Sequence, residues 1–389
     1  MKKHRLLILT IMLMAVMILS SCAGKSEPSA PTPPPEDTMT PATPSPAPTV
    51  TTEPPINTAE PPKAVYPVPD FLEGAVSIQP FLDGEDISFL CQSAVGCGAV
   101  TSSGRLLLWS LASDTLEVYR TDSLETIYTT NDIENITAAW LSDSENFNIN
   151  FALDRDGQLW GFGWNARGLI PGYGVEMVEP VIVMEHISSF AMGRDLLTTW
   201  AAAVEDTGAV VIWGYDHRTG PAKLVLPTVI ASGAVSVINT CGDHLYIVTT
   251  NGDLVDLGPA REFFYSDYVV KTLVKEDAVW GSDDYVLGAD GVLYYRESDK
   301  AWSVIAEDVK MANCNEPIAF YLTNTGELYA WENEDADWFP ELRLPAGPSG
   351  EKYIKLLDGV AMAAPAKLGT GITALLENGS MVQIDIHAG

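Results

Sequence analysis

A short pattern recurs along the C-terminal part of the chain: an apolar run, a polar turn that contains glycine, and a second apolar run. The seven copies span Val100–Leu106, Leu153–Leu159, Val204–Val210, Val248–Leu254, Leu287–Leu293, Leu322–Leu328 and Leu376–Met381. Their turn glycines are Gly104, Gly157, Gly208, Gly252, Gly291, Gly326 and Gly379. Glycine adopts the positive φ that tight hairpins require, and short apolar runs are typical of strands. Each copy therefore predicts a β-hairpin.

The spacing of these hairpins predicts the architecture. Successive turn glycines are 35 to 53 residues apart, which suits one four-stranded blade for each copy. Short apolar segments such as Ile187–Met192 and Val309–Ala312 precede the hairpins and are predicted innermost strands. Pro180–Val183 is a predicted outer strand. A solenoid is the alternative, but its repeats are usually shorter or helical, and no helical periodicity is sustained. We predict an all-β, seven-bladed β-propeller over residues 70–389.

The chain ends predict how the ring closes. The sequence stops a few residues after the seventh hairpin, so blade 7 lacks an outermost strand. The segment Gly74–Pro80 lies before the first inner strand, where the other copies have an outer strand. We predict that it pairs onto blade 7 as a clasp and leaves no long open edge.

One copy carries a family resemblance. The segment Asp156–Leu169, which contains Trp160-Gly161, Asn165 and Gly168, resembles the repeat of the regulator of chromosome condensation family, as does the following Pro180-Val181. An aromatic five residues after the turn glycine recurs as Trp109, Phe162, Trp213 and Trp331, and His244 matches the histidine of that repeat. Leu257, Arg296 and Ile384 replace the aromatic in three copies. The resemblance implies a seven-bladed propeller and not the nuclear activities of that family.

The N-terminus predicts a membrane anchor. Lys2, Lys3 and Arg5 precede an apolar run from Leu6 to Leu19, the layout of a secretory signal that is too short for a comfortable transmembrane helix. Leu19-Ser20-Ser21-Cys22 resembles a bacterial lipobox, which implies cleavage after residue 21 and lipidation of Cys22. An ordinary signal peptide and an uncleaved anchor are the alternatives. The predicted location is the extracytoplasmic side of a bacterial membrane.

A proline-rich stretch follows the predicted anchor. Fifteen of the 26 prolines lie between Ala23 and Pro69, with Thr, Ser, Ala and Glu between them. Such a segment cannot bury a core, and it favours an extended, semi-rigid spacer. We predict a disordered tether over residues 22–69. Whether its threonines carry sugars is open.

The charge limits the partners. The chain carries a formal net charge of −30, and loss of the signal peptide removes three positive charges. Such a surface repels nucleic acid and anionic lipid headgroups. We expect a monomer that contacts the membrane only through its lipid and binds an extracytoplasmic protein or a glycan.

The sequence offers little catalytic chemistry. Asp154–Gly157 contains an Asp-x-Asp-Gly fragment of the kind found in some calcium loops, but Trp160 stands where another acid would be needed, so a plain hairpin turn is favoured. The histidines are scattered, and no triad or phosphate-loop spacing is present. We predict no catalytic residue, metal or cofactor.

The cysteines favour structural roles. Cys91, Cys241 and Cys314 fall just after predicted inner strands, where copy three has Gly193, which indicates small buried residues. A disulfide between Cys91 and Cys97 is an open alternative in an oxidising compartment.

Aromatic and charged residues in predicted loops give the candidate binding residues. They are Trp164 and Arg167 in one loop, and Asp335, Asp337 and Trp338 in another. The leading hypothesis is a non-enzymatic binding module that mediates protein–protein interaction at the cell surface. The alternatives are glycan or cell-wall binding through loop aromatics, and a propeller enzyme such as a hydrolase or lyase.

Overall fold

The computed structural model describes most of the C-terminal part of the chain. The described residues are 68–81, 86–91, 97–110, 125–129, 133, 135–141, 149–165, 168–194, 198–216, 223–238, 244–264, 271–282, 284–297, 301–314, 318–333, 344–347, 350, 352–366 and 371–387. They contain β-strands and two short 3₁₀ turns, at Asp70–Leu72 and Ala260–Phe264. The predicted signal peptide, Cys22 and the tether lie outside the described residues.

Within these residues the strands form seven antiparallel sheets of four strands each. The first strand in the chain is β1 (Val76–Phe81). Blade 1 contains β2 (Ile87–Leu90), β3 (Cys97–Thr101), β4 (Leu106–Ser110) and β5 (Glu125–Thr129). Blade 2 contains β6 (Ile136–Leu141), β7 (Ile149–Asp154), β8 (Leu159–Trp164) and β9 (Met177–Met184). Blade 3 contains β10 (Ile187–Arg194), β11 (Thr198–Glu205), β12 (Val210–Asp216) and β13 (Lys223–Ala231).

The remaining strands repeat this order. Blade 4 contains β14 (Ala234–Ile238), β15 (His244–Thr249), β16 (Leu254–Pro259) and β17 (Thr272–Lys275). Blade 5 contains β18 (Ala278–Gly281), β19 (Tyr285–Gly288), β20 (Leu293–Tyr295) and β21 (Ser303–Ala306). Blade 6 contains β22 (Val309–Asn313), β23 (Ile318–Thr323), β24 (Leu328–Glu332) and β25 (Ile354–Leu357). Blade 7 contains β26 (Val360–Ala366), β27 (Gly371–Leu376) and β28 (Met381–Ile386), and β1 is its fourth strand. The fold is a seven-bladed β-propeller, as predicted.

The predicted clasp is confirmed. β1 pairs antiparallel with β28, from Val76 opposite Ile386 to Phe81 opposite Met381. His387 continues the contact, because its backbone N–H donates to Ala75 O at 2.8 Å. Leu72 and Val76 are buried in the apolar cluster of blades 6 and 7. The N-terminal strand thus contributes both backbone pairing and core packing to the last blade.

The turn glycines adopt the predicted positive φ, at values between 76° and 86° in all seven hairpins. In each hairpin the glycine N–H donates to the residue three positions earlier, as Gly104 does to Thr101 O at 2.8 Å. The backbone N–H of that earlier residue makes the next ladder bond, as Thr101 N donates to Arg105 O at 2.9 Å. These are three-residue hairpin loops with a glycine bulge, in which only the glycine needs positive φ. The Asp or Asn before it does not share that conformation.

The same glycines connect neighbouring blades. The carbonyl of a turn glycine accepts a hydrogen bond of 2.8–3.2 Å from the first residue of the next innermost strand. This bond joins Gly104 to Ile136, Gly157 to Ile187, Gly208 to Ala234, Gly252 to Ala278, Gly291 to Val309 and Gly326 to Val360. The repeat glycine therefore serves the turn and the blade-to-blade contact together.

The repeat aromatics pack between blades. Phe162, Trp213 and Trp331 are buried, and each belongs to a cluster that includes side chains of the preceding blade. Trp213 also donates from Nε1 to Leu169 O of blade 2 at 2.7 Å. The side chain of Trp109 lies outside the described part. The aromatic position of the repeat is thus a core position.

Strand direction defines two faces of the ring. Neighbouring strands in each blade are antiparallel, so the connections leave its two ends alternately. The glycine turns and the short junctions between blades lie at one end, which we call the turn face. The connections from first to second strand and from third to fourth strand leave the opposite end, which we call the loop face.

Candidate functional site

Of the candidate binding residues, the structure describes Trp164. It ends β8, the third strand of blade 2, on the loop-face side, and it is 39% exposed. Arg167, Asp335, Asp337 and Trp338 lie outside the described residues. The two predicted loops follow equivalent strands, β8 in blade 2 and β24 in blade 6, which stand nearly opposite each other in the ring. The structure therefore does not bring the strand ends that carry them together.

The segment after Trp164 is held in place by Asn165, which is fully buried. Its Nδ2 donates to Ile170 O at 3.0 Å and to Tyr173 O and Gly174 O at 3.3 Å, while its Oδ1 accepts from Ile170 N at 2.9 Å. Its backbone N–H donates to Glu176 O at 2.9 Å. Asn165 thus hydrogen-bonds to both ends and the middle of the connection, which explains why the repeat has asparagine at this position.

This connection presents apolar side chains to solvent. Tyr173 is 42% exposed, and Val175 and Met177 are 67% and 64% exposed. Leu224 and Leu226 on β13, the outer strand of blade 3, are also exposed. The methyl groups of Leu224 lie close to Gly168, since a Cβ there would be 3.1 Å from Leu224 Cδ1. We call Trp164, Tyr173, Val175, Met177, Leu224 and Leu226 the rim patch.

Exposed apolar side chains are concentrated in this region. Of the thirteen large ones in the described part of the chain, eight fall between Trp164 and Val229. Single exposed apolar residues are normal, whereas a contiguous group marks a binding surface. Sequence analysis identified Trp164 and missed the other five members of the rim patch. Leu224 and Leu226 could have been found from the sequence. They lie in the run Leu224-Val225-Leu226-Pro227, and an apolar run that contains proline indicates an edge strand.

Carboxylates accompany the rim patch. Glu176 and Glu179 are exposed beside Met177. Over the full sequence of residues 164–231, seven acids stand against four basic residues. The part of the rim patch around Val175 and Met177 therefore combines apolar side chains with negative charge.

Asp154 uses its carboxylate within its own hairpin. Oδ1 accepts from Asp156 N at 3.0 Å and from Gln158 N at 2.8 Å, and Oδ2 accepts from Trp160 Nε1 at 2.8 Å. Both oxygens thus stabilise the turn and the next strand, as expected for a plain hairpin. No cluster of metal-binding side chains is found among the described residues.

His244 has a structural partner. Its Nδ1 lies 2.9 Å from Asp256 Oδ2, and Asp256 Oδ1 accepts from Gly258 N at 2.7 Å. The pair joins β15 to β16 near the loop face of blade 4. The repeat resemblance pointed to His244 but gave no indication of Asp256.

The cysteine interpretation is confirmed where the structure describes it. Cys91 and Cys314 are buried, and burial raises the pKa of the Cys314 thiol well above its usual value. At Gly193, the comparable point of blade 3, a Cβ would stand 2.1 Å from the Trp200 ring, so the smallest residue is required. Cys241 and the side chain of Cys97 lie outside the described part, and the Cys91–Cys97 disulfide stays a prediction.

In the residues that the structure covers, no helix has the length and apolar character needed to cross a bilayer.

Comparison with known proteins adds information on the fold. No protein-family model matches the chain, and no curated protein matches it. Human WBSCR16 is similar in structure, with a TM-score of 0.52, 14% identity, and coverage of 79% of this chain and 88% of that one. At that identity the likeness shows the propeller fold alone.

Two further solved structures are more distant. Prp20p of Saccharomyces cerevisiae, studied for its binding to Gsp1p and histones, has a TM-score of 0.43 and 15% identity over 60% of this chain and 69% of that one. The β-propeller domain of Cps50 (Swd1) from Myceliophteria thermophila has a TM-score of 0.46 and 12% identity over 80% and 100%.

Proposed function

We propose that this protein is a non-enzymatic binding module that holds partner proteins at the extracytoplasmic side of a bacterial membrane. The observation that carries the proposal is the rim patch. A propeller with exposed apolar side chains gathered on two neighbouring blades has a surface suited to protein contact. The likeness of one repeat to the regulator of chromosome condensation family supports the architecture, and we transfer no nuclear activity from it.

The fixed geometry of the patch supports protein binding. Asn165 and the bond from Trp213 to Leu169 hold the connection that carries Tyr173 and Val175. A surface that is ordered before binding loses little conformational freedom when a partner docks. Exposed Trp and Tyr side chains are also typical anchors of protein interfaces.

The rim patch can be tested on intact cells by proximity labelling. The variant Val175→Ser/Met177→Ser removes two exposed apolar side chains, and Leu273→Ser on β17 is a control of similar exposure. We expect recovery of the specific partners to fall about tenfold or more in the double variant, because two interface anchors of about 1 kcal/mol or more are lost. The control should match the wild type. Equal partner sets in all three proteins would refute protein binding by the rim patch.

The membrane anchor has its own test. We propose that Cys22 is lipidated after removal of residues 1–21, on the strength of the Leu19-Ser20-Ser21-Cys22 sequence. The Cys22→Ser variant is expected to lose incorporation of labelled fatty acid and to keep its signal peptide. Ser21→Ala is the control, since a small residue before the cysteine is retained. Unchanged fatty-acid labelling of Cys22→Ser would exclude this residue as the lipid site.

A further inference from the structure

We infer that the rim patch binds a polypeptide segment that carries Lys or Arg side chains beside its apolar ones. The inference rests on the proposed function, because it names the chemistry of the partner for the same surface.

Strand β9 places apolar and acidic side chains side by side on the exposed surface. Met177 and Glu179 are exposed and Val178 between them is buried, so Met177 and Glu179 lie on the same face of the strand. Glu176, next to Val175, is exposed as well. Each strongly exposed apolar side chain in this part of the patch thus has a carboxylate within one or two positions along the chain.

The carboxylates beside Val175 and Met177 select the charge of a partner segment. A partner that buries Val175 and Met177 must approach Glu176 and Glu179. An acidic or neutral segment would desolvate these carboxylates or repel them, whereas Lys or Arg can pair with them at the edge of the contact. Opposite charges also speed the encounter, and the net charge of −30 strengthens that effect.

Two other occupants fit the charge of the patch less well. A second copy of the chain would bring the same carboxylates and the same net negative charge to the contact. An anionic lipid surface would repel them in the same way. A cationic polypeptide segment is the occupant whose charge fits.

The test uses displayed libraries of short random peptides as the probe and the full-length protein as bait. Peptides are selected on the wild type after depletion on Val175→Ser/Met177→Ser. We expect the enriched peptides to combine apolar residues with Lys or Arg and to carry net positive charge. Enrichment of neutral or acidic peptides would overturn the inference, and so would the absence of any enriched peptide.

Matched charge variants then locate the contact. For an enriched peptide, Glu176→Gln/Glu179→Gln should weaken binding about three- to tenfold at low salt, as two exposed ion pairs would. Glu276→Gln/Asp277→Asn removes the same charge from exposed residues of the turn face and should change nothing. An equal loss in both variants would mean general attraction to an acidic protein and would overturn the inference.

Two other outcomes separate the inference from the proposed function. If binding is lost in Val175→Ser/Met177→Ser but unaffected in Glu176→Gln/Glu179→Gln, the patch binds proteins and the preference for cationic segments is wrong. If concentration-dependent dimers form and Met177→Ser abolishes them, a second copy is the occupant, and the inference is wrong. If the proposed function itself is wrong, Val175→Ser/Met177→Ser will recover the same cellular partners as the wild type.

Discussion

Deletion of residues 70–82 is expected to lower the stability of the propeller by about 5 kcal/mol or more. The deletion removes β1, which supplies the fourth strand of blade 7. It also removes Leu72 and Val76, which are buried, and burial of each such side chain contributes about 1.5–3 kcal/mol. The lost pairing adds to this and exposes the edge of β28. In a domain of this size we expect the melting temperature to fall by about 10 °C or more.

The measurement is thermal unfolding followed by circular dichroism, with a deletion of residues 41–53 as the control. That control shortens the proline-rich stretch by the same length and leaves the clasp intact. It should unfold at the wild-type temperature. If the protein without residues 70–82 also unfolds at the wild-type temperature, the closure of blade 7 by β1 is contradicted.

Much of this fold could be predicted from the sequence because its repeating unit has a local cause. The positive φ at Gly157 or Gly252 is a property of one residue and its neighbours, and it recurs wherever a hairpin does. The clasp could be predicted because counting strands left blade 7 one short. Both arguments need only the chain order and the requirement that sheet edges be covered.

The junctions between blades could not be predicted in the same way. Asn135, His186, Asp277 and Asp308 all have positive φ just before an innermost strand, although none is glycine. Their carbonyls accept from the hairpin of the same blade, as His186 O does from Asp206 N at 2.8 Å. This conformation is stabilised by a residue 12 to 20 positions away along the chain, so local propensity gives no indication of it.

Each innermost strand also contains a bulge that no sequence pattern indicated. The register shifts after its first residue in all seven blades, as between Ile187 and Ser189 or between Ala278 and Trp280. The extra residue is hydroxylic in some blades, and Ser188 Oγ donates to Val204 O at 3.1 Å, but it is Val279 in another. A position that takes both polar and apolar side chains leaves no compositional signal.

The rim patch shows a different limit. Trp164 was predicted because an aromatic residue in a loop is conspicuous, but Val175 and Met177 are ordinary residues before and in a strand. What distinguishes them is their exposure, in a connection that Asn165 holds through Gly174 O at 3.3 Å. Exposed apolar surfaces of this kind become visible only when the fold shows which apolar residues stay uncovered.

Gly104→Ala is expected to destabilise the propeller by about 2–5 kcal/mol, and Gly379→Ala by only about 1–2 kcal/mol. Both glycines have φ above 79°, so a side chain at either site incurs the left-handed penalty of about 1–2 kcal/mol. At Gly104 a Cβ would also stand 2.6 Å from Asn135 Cα, a backbone atom of the next blade, and such overpacking costs about 1–3 kcal/mol more. At Gly379 the described residues leave the space around a Cβ open to 4 Å.

Urea unfolding of the two variants measures the difference directly, because they share the turn conformation and differ in the contact with the next blade. A larger loss for Gly104→Ala means that the repeat glycine is required for the approach of blade 2 as well as for its φ. Equal losses would assign the whole effect to the turn, and the close approach of the Asn135 backbone to Gly104 would then contribute little. The comparison therefore tests whether one small residue per repeat sets how closely neighbouring blades pack.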